Sequence, residues 1–228
     1  MSVKRTFADF FIRGCGLRHL HDTRLQRGIR TVLDEIDLQH LRDASSCPAF
    51  SDRVGMFEYI LSNIIGNEPI DYLEFGVYRG ESIKQWISNT NGNSRFFGFD
   101  SFEGLPENWR KGQDKGHFSV NGQLPDIRDA RVTFVPGWFD KTVPEFARSF
   151  IPKNRLVVHF DADLYGSTIL PMVYLQPSLA KGSLLLFDEF YDRDHEFKAF
   201  RDFLKIGSRD YRLVCQAENF GKVCIELL

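Results

Sequence analysis

Glu74-Phe75-Gly76-Val77-Tyr78-Arg79-Gly80-Glu81-Ser82 follows the short run Ile70-Asp71-Tyr72-Leu73 and leads into Ile83-Lys84-Gln85-Trp86-Ile87. The first run reads as a strand and the last as the opening of a helix, so the stretch between them is a glycine turn joining strand to helix. Gly76 and Gly80 allow the backbone to pass close to a ligand, and the unpaired N–H groups at the helix start favour electron-rich groups. The spacing is G-x-x-x-G. It is neither the G-x-G-x-x-G of a dinucleotide fingerprint nor a phosphate loop ending in Gly-Lys-Ser/Thr. The alternative is a tight strand-to-helix connection with no ligand.

A second apolar run, Arg95-Phe96-Phe97-Gly98-Phe99, ends in Asp100. A carboxylate at the tip of the second strand of a βαβ unit can accept both hydroxyls of a ribose. It can equally be a turn or helix-capping residue. Beyond it the sequence alternates. Strands are expected near 131–135, 155–161 and 183–188, with helices over 81–89, 143–149, 169–180 and 195–205, and final strands near 211–217 and 222–228. Such alternation specifies a mostly parallel sheet covered by helices on both faces. The last two strands are separated by only Glu218-Asn219-Phe220-Gly221, too short for a crossover, so they form an antiparallel hairpin. A parallel sheet ending in such a hairpin is the layout of class I methyltransferases; nicotinamide-binding domains stay parallel throughout.

Before the glycine turn, Ser51-Asp52 caps a helix reaching Ile65, with Met56, Phe57, Ile60, Leu61, Ile64 and Ile65 as its apolar stripe. Residues 1–52 read as two or three short amphipathic helices, separate from a main domain over 53–228. They serve as a cap over a substrate pocket, as the arm of a homodimer, or as a layer over a sheet edge. The segment from Glu103 to Ile127 is long, polar and rich in glycine, which points to a lid or to disorder. Its His117 is either a base or sugar contact or a solvated loop residue.

Carboxylates gather at two further strand ends: Asp161-Ala162-Asp163 after Leu156 to Phe160, and Asp188-Glu189 after Leu184 to Phe187. Ligands of open α/β sheets bind at this edge. Close carboxylates repel unless a cation or protons relieve them, and oxygen ligands with open positions suit Mg²⁺, Mn²⁺ or Ca²⁺. The alternative is that these acids cap helices or pair with arginines.

With 228 residues, 43% hydrophobic content and a formal net charge of −2, the chain has enough apolar matter for a sizeable core and no bulk basicity for nucleic acid. No apolar run approaches the roughly 20 residues of a membrane span, and no signal-peptide core precedes Asp9, so the expected location is the cytoplasm. Cys15, Cys47, Cys215 and Cys224 form no C-x-x-C pair and read as reduced thiols.

From about residue 55 to about 205 the sequence resembles the macrocin O-methyltransferase (TylF-type) family of S-adenosylmethionine-dependent sugar O-methyltransferases. The resemblance rests on E-F-G-V-Y-R-G (74–80), D-S-F-E-G-L-P (100–106), G-W-F-D-K-T-V-P (137–144), D-A-D-L-Y-G-S-T (161–168) and D-E-F (188–190). It implies a Rossmann-like class I methyltransferase fold: a mostly parallel seven-stranded sheet with a terminal antiparallel hairpin and an N-terminal helical extension. It also implies that S-adenosylmethionine is held by Glu74, Gly76, Val77, Tyr78, Arg79, Gly80, Ser82, Asp100, Ser101, Phe102, Gly137, Trp138 and Asp161. By the same resemblance Asp161, Asp188 and Glu189 hold Mg²⁺ or another divalent ion, and Asp161 is the general base; on the residues themselves Asp163, His117 and His195 are alternatives. Ala162 and Asp188-Glu189-Phe190 depart from the family's usual Gly and Asp-Asp-Tyr. The expected reaction is methyl transfer to a hydroxyl of a sugar-containing acceptor. The rivals are an amine or non-sugar hydroxyl as acceptor, a nicotinamide-dependent oxidoreductase, and a non-catalytic binding subunit.

Overall fold

The computed structural model describes residues 47–207 and 209–228. The expected N-terminal helices, and the dimer arm assigned to them, lie outside the described residues. Strand β1 is Ala49–Phe50, followed by helix α1 (Arg53–Tyr59), which runs on as a π-helical turn, Ile60–Ile65. Asp52 caps α1 by accepting a hydrogen bond from the Gly55 amide at 3.0 Å. Next come β2 (Ile70–Phe75), α2 (Glu81–Ser88), β3 (Arg95–Asp100), β4 (Val132–Pro136), α3 (Phe139–Ser149) and β5 (Arg155–Phe160). Helix α4 (Tyr165–Leu175), β6 (Leu184–Phe187), α5 (Glu196–Gly207), β7 (Tyr211–Ala217) and β8 (Lys222–Leu227) complete the fold.

The sheet runs β1-β7-β8-β6-β5-β2-β3-β4. All pairs are parallel except those of β8, which lies antiparallel between β6 and β7 as the expected hairpin. The described sheet has eight strands rather than seven. Ala49 and Phe50 align with Gln216 and Ala217 at the β7 edge, and the Gln216 amide donates to the Pro48 carbonyl at 3.0 Å. The two-residue strand falls at the end of the segment read as two or three short helices, and it pairs with the β7 edge.

Strand periodicity builds the core. Leu73, Phe75, Val158, Phe160, Leu185 and Phe187 face α3, α4 and α5, whereas Ile70, Tyr72, Val157, Leu184 and Leu186 face α1 and α2. The central strands are buried on both faces, which is why they read as continuous apolar runs. Several helix boundaries differ from expectation; α4 begins at Tyr165, four residues before the expected 169. Helix α4 stops at Leu175 because Gln176 precedes Pro177, whose ring disfavours helical backbone in the residue before it. Helix α3 starts at Phe139, four residues early, because Trp138 is extended and its carbonyl accepts from the Lys141 and Thr142 amides, so Pro144 sits inside the helix.

Candidate active site

The carboxyl ends of β2, β3, β5 and β6 open onto a cavity of about 840 Å³, towards the upper end of the roughly 300–1,000 Å³ of small-molecule sites. Gly76, Val77, Tyr78, Arg79 and Ser82 form one wall; Asp100, Ser101, Gly137 and Trp138 form the next; Asp161, Asp163, Asp188 and Glu189 form the third. The segment after Glu103 folds over this opening. Leu105 and Gly116–His117 exchange backbone hydrogen bonds of 2.9 Å, and Leu105, Trp109, Arg110 and Phe118 line the cavity.

Asp100 organises the glycine turn. Its Oδ2 accepts from the Val77 and Tyr78 amides at 2.8 and 2.7 Å, and its Oδ1 accepts from Phe102 at 2.7 Å. Gly76 has φ +95°, and a Cβ there would lie 1.8 Å from the Asp161 carbonyl oxygen. At Gly80, φ is +76° and a Cβ would lie 2.9 Å from Ile127. The sequence reading had both glycines clearing space for a ligand or making a tight connection; Gly76 lines the cavity, and at both positions the missing Cβ also makes room for the protein's own chain. Four expected site residues stand off the cavity wall. Gly80 lies beneath the 103–127 segment, Phe102 is buried in the core, and His117 is an exposed neighbour of Phe118. Glu74 is buried behind the wall, accepting from the Tyr72 hydroxyl at 2.9 Å.

The carboxylate cluster contains cations that sequence reasoning missed. Arg53 Nη1, in the first turn of α1, lies 3.0 Å from Asp161 Oδ2 and 3.5 Å from Asp188 Oδ1. Lys222 Nζ, on the first residue of β8, lies 3.0 Å from Asp188 Oδ2. His159 Nε2 lies 3.9 Å from the other Asp188 oxygen, and its Nδ1 is 2.8 Å from the Tyr72 hydroxyl. Arg110 approaches Glu189 Oε1 at 3.7 Å, while Glu189 Oε2 is buried without a partner. His159 was detectable as the one polar residue in the apolar run Leu156 to Phe160. Arg53 and Lys222 were not, because only the fold carries α1 and β8 to the ends of β5 and β6.

Environment spreads the acidities. Burial alone would make His159 less basic, but the carboxylates of Asp188 and Glu74, each 3.9 Å from a ring nitrogen, outweigh this and raise its pKa to about 9. Burial favours the neutral acid of Asp188 too, yet His159 and Lys222 hold it well below the usual carboxylate range. Asp161 is raised to about 7 by burial and by the Asp188 charge. Asp163 is raised to about 8, by burial first and then by Asp161 and Glu189. Its backbone is strained as well, with φ +61° at a non-glycine residue.

His159, Asp161 and Asp188 each offer one donor atom within 4.8 Å of the others, so the spacing alone would admit a metal. The donor set does not fit a divalent ion. Asp161 already holds Arg53, Asp188 holds Arg53 and Lys222, and His159 Nδ1 is taken up by the Tyr72 hydroxyl at 2.8 Å. The expected third ligand, Glu189, lies outside this trio.

The sheet order, the single reversed strand and the cavity at the carboxyl edge define a class I methyltransferase fold. The profile of the macrocin-O-methyltransferase (TylF) family matches residues 50–209, and the chain belongs to that family. It is 29% identical over 161 residues to the 8-demethyl-8-(2,3-dimethoxy-alpha-L-rhamnosyl)-tetracenomycin-C 4'-O-methyltransferase of Streptomyces olivaceus, covering 60% of each chain. It is 27% identical over 153 residues to the demethyldecarbamoylnovobiocin O-methyltransferase of Streptomyces niveus, covering 57% of this chain and 56% of that one. The matches thus span less than two thirds of these relatives' lengths. Among solved structures, the calicheamicin methyltransferase CalS11 superposes with a TM-score of 0.58 at 21% identity, over 99% of this chain and 93% of that one. The O-methyltransferase NovP superposes with a TM-score of 0.57 at 18% identity, over 98% of each. These two likenesses concern the fold.

Proposed function

We propose that the chain transfers the methyl group of S-adenosylmethionine to a hydroxyl of a sugar or glycosylated metabolite. The observation that carries this reading is the cavity joining a glycine-turn wall to a wall of carboxylates, two of which, Asp161 and Asp163, have raised pKa values. Family membership and the sugar-modifying enzymes among the relatives support it. When bound, S-adenosylmethionine supplies a methyl group made electrophilic by its positively charged sulfur. Tyr78, Arg79, Ser82, Asp100, Ser101 and Trp138 line the part of the cavity that would hold it. The segment from Leu105 to Phe118 covers the opening and keeps water from the reacting atoms.

Asp163 is the stronger claimant to the base. Asp161 is tied to Arg53 at 3.0 Å, whereas Asp163 faces the cavity, and its proton affinity lies near working pH, where a general base is most effective. In its ionised form it takes the proton from the acceptor hydroxyl as the bond from that oxygen to the methyl carbon forms and the methyl–sulfur bond breaks, the electron pair staying on the sulfur of S-adenosylhomocysteine. Asp161, held by Arg53, orients that hydroxyl, and positioning of this kind supplies much of the acceleration. No described helix is long and apolar enough to cross a membrane. The facing free thiols of Cys215 and Cys224 support a reducing, cytoplasmic setting.

The test is calorimetry with S-adenosylhomocysteine followed by an acceptor screen of rhamnosylated glycosides, matching amino sugars and a non-sugar phenol. Binding with methylation of the sugar hydroxyl is the expected result. Binding with turnover of only the amine or the phenol would reject the sugar assignment, and absence of binding would reject methyl transfer.

A further inference from the structure

We infer that Arg53 takes the place of a divalent cation, so that the carboxylate site of this chain works without metal. Asp161 and Asp188 bring two carboxylates together at the cavity wall. Two carboxylates whose ligand atoms lie within 4.8 Å are relieved either by protonation or by a cation between them. Arg53 Nη1 supplies the cation, reaching one oxygen of each acid at 3.0 and 3.5 Å. The second Asp188 oxygen is closed off by Lys222 at 3.0 Å, and the Asp188 backbone carbonyl also accepts from Lys222, at 3.3 Å. Each acid therefore already has a fixed positive partner.

A divalent ion entering here would have to displace the guanidinium and would still face the Lys222 ammonium across Asp188. Hard divalent ions draw much of their affinity from uncompensated carboxylate charge, and that charge is already spent. Glu189 Oε2, buried and unpartnered, is a feature a metal would relieve, as is Glu196 Oε1, whose other oxygen accepts from the Glu189 amide. The Glu189 carboxylate belongs to Arg110 instead, 3.7 Å from its other oxygen. Arg53 also lines the cavity, and its side chain is 33% exposed there. It can therefore meet the acceptor as well as the acids, donating hydrogen bonds to a bound hydroxyl where a metal would have coordinated it. Guanidinium is always charged and presents its donors in a fixed fork, which suits this substitution; a lysine at the same position would not reproduce it.

The catalytic part of this inference rests on the methyl-transfer reading, whereas the metal part does not, and the experiment separates them. The full chain is titrated with MnCl₂ by calorimetry, alongside Arg53→Met, which keeps side-chain volume but removes the charge. Thermal unfolding and S-adenosylhomocysteine binding report on the integrity of both proteins. The expected result is no Mn²⁺ binding at millimolar concentration in the wild type, and a gain of about tenfold or more in affinity in Arg53→Met. Wild-type turnover is expected to be equal in MgCl₂ and in chelator. Micromolar Mn²⁺ binding by the wild type that Asp161→Asn weakens would overturn the inference, as would turnover lost in chelator and restored by Mg²⁺. If Arg53→Met does not fold, the wild-type titration decides alone. Failure of S-adenosylhomocysteine to bind would count against methyl transfer and leave the Mn²⁺ result standing.

Discussion

Gly76 and the carbonyl of Asp161 meet so closely that a Cβ on the glycine would lie 1.8 Å from that oxygen. The contact is where β2 and β5 end together: the Gly76 amide donates to Phe99 and the Asp161 amide donates to Phe75, each at 2.9 Å. The glycine turn and the carboxylate cluster are thus fixed to one another by backbone.

Gly76→Ala would meet both a backbone clash and a positive φ, so it should cost about 3 kcal/mol or more of stability. Thermal unfolding checks this. A variant that melts within a few degrees of wild type would show that the two strand ends can part without harm.

Asp100→Ala removes the acceptor of three amides, those of Val77, Tyr78 and Phe102. Leaving such groups unpaired costs about 1–3 kcal/mol each where water cannot reach them, less here because Tyr78 is partly exposed. Affinity for S-adenosylhomocysteine should fall by at least as large a factor as the stability loss implies. Unchanged affinity in calorimetry would mean that the turn keeps its shape without Asp100.

Lys222→Ala leaves Asp188 short of one buried partner. Removing one side of a buried ion pair costs about 3–5 kcal/mol, and both side chains are only 11% exposed. Chemical denaturation should show a loss in that range. A loss below about 1 kcal/mol would indicate that Arg53 and His159 suffice for Asp188.

The rate should rise with pH through about 8, because Asp163 must be ionised to accept the acceptor's proton and its pKa is raised to about that value. Asp163→Asn should lose at least about 100-fold in kcat and flatten this limb, while S-adenosylhomocysteine still binds. An unchanged limb would return the role to Asp161.

Stability has its own pH signature. His159 has a folded pKa of about 9 against an ordinary value of 6.5. Its contribution is therefore fully present below about pH 6.5 and lost as pH rises through 9. Denaturation midpoints should fall over that window in the wild type and less in His159→Gln; parallel curves would mean that the imidazole is not protonated in the native protein.

Local sequence determined the order of elements and most of their limits, because each strand is a short apolar run and each helix a 3.6-residue stripe. It also determined that the last two strands form a hairpin, since four residues cannot make a crossover. The carboxylates of Asp161, Asp163, Asp188 and Glu189 were legible at strand ends for the same reason: in a parallel sheet, such ends share one edge. Tertiary structure alone decided what neutralises them. Arg53 precedes Asp161 by 108 residues, and Lys222 reaches Asp188 only because β8 inserts antiparallel beside β6. Neither residue carries a local pattern that marks it as a partner, so the reading that called for a metal ion could not see the cations the chain supplies itself. Gly76 and Gly80 were visible as turn residues, but whether a missing Cβ makes room for a ligand or for another strand depends on which backbone passes by. That is a property of the packed sheet.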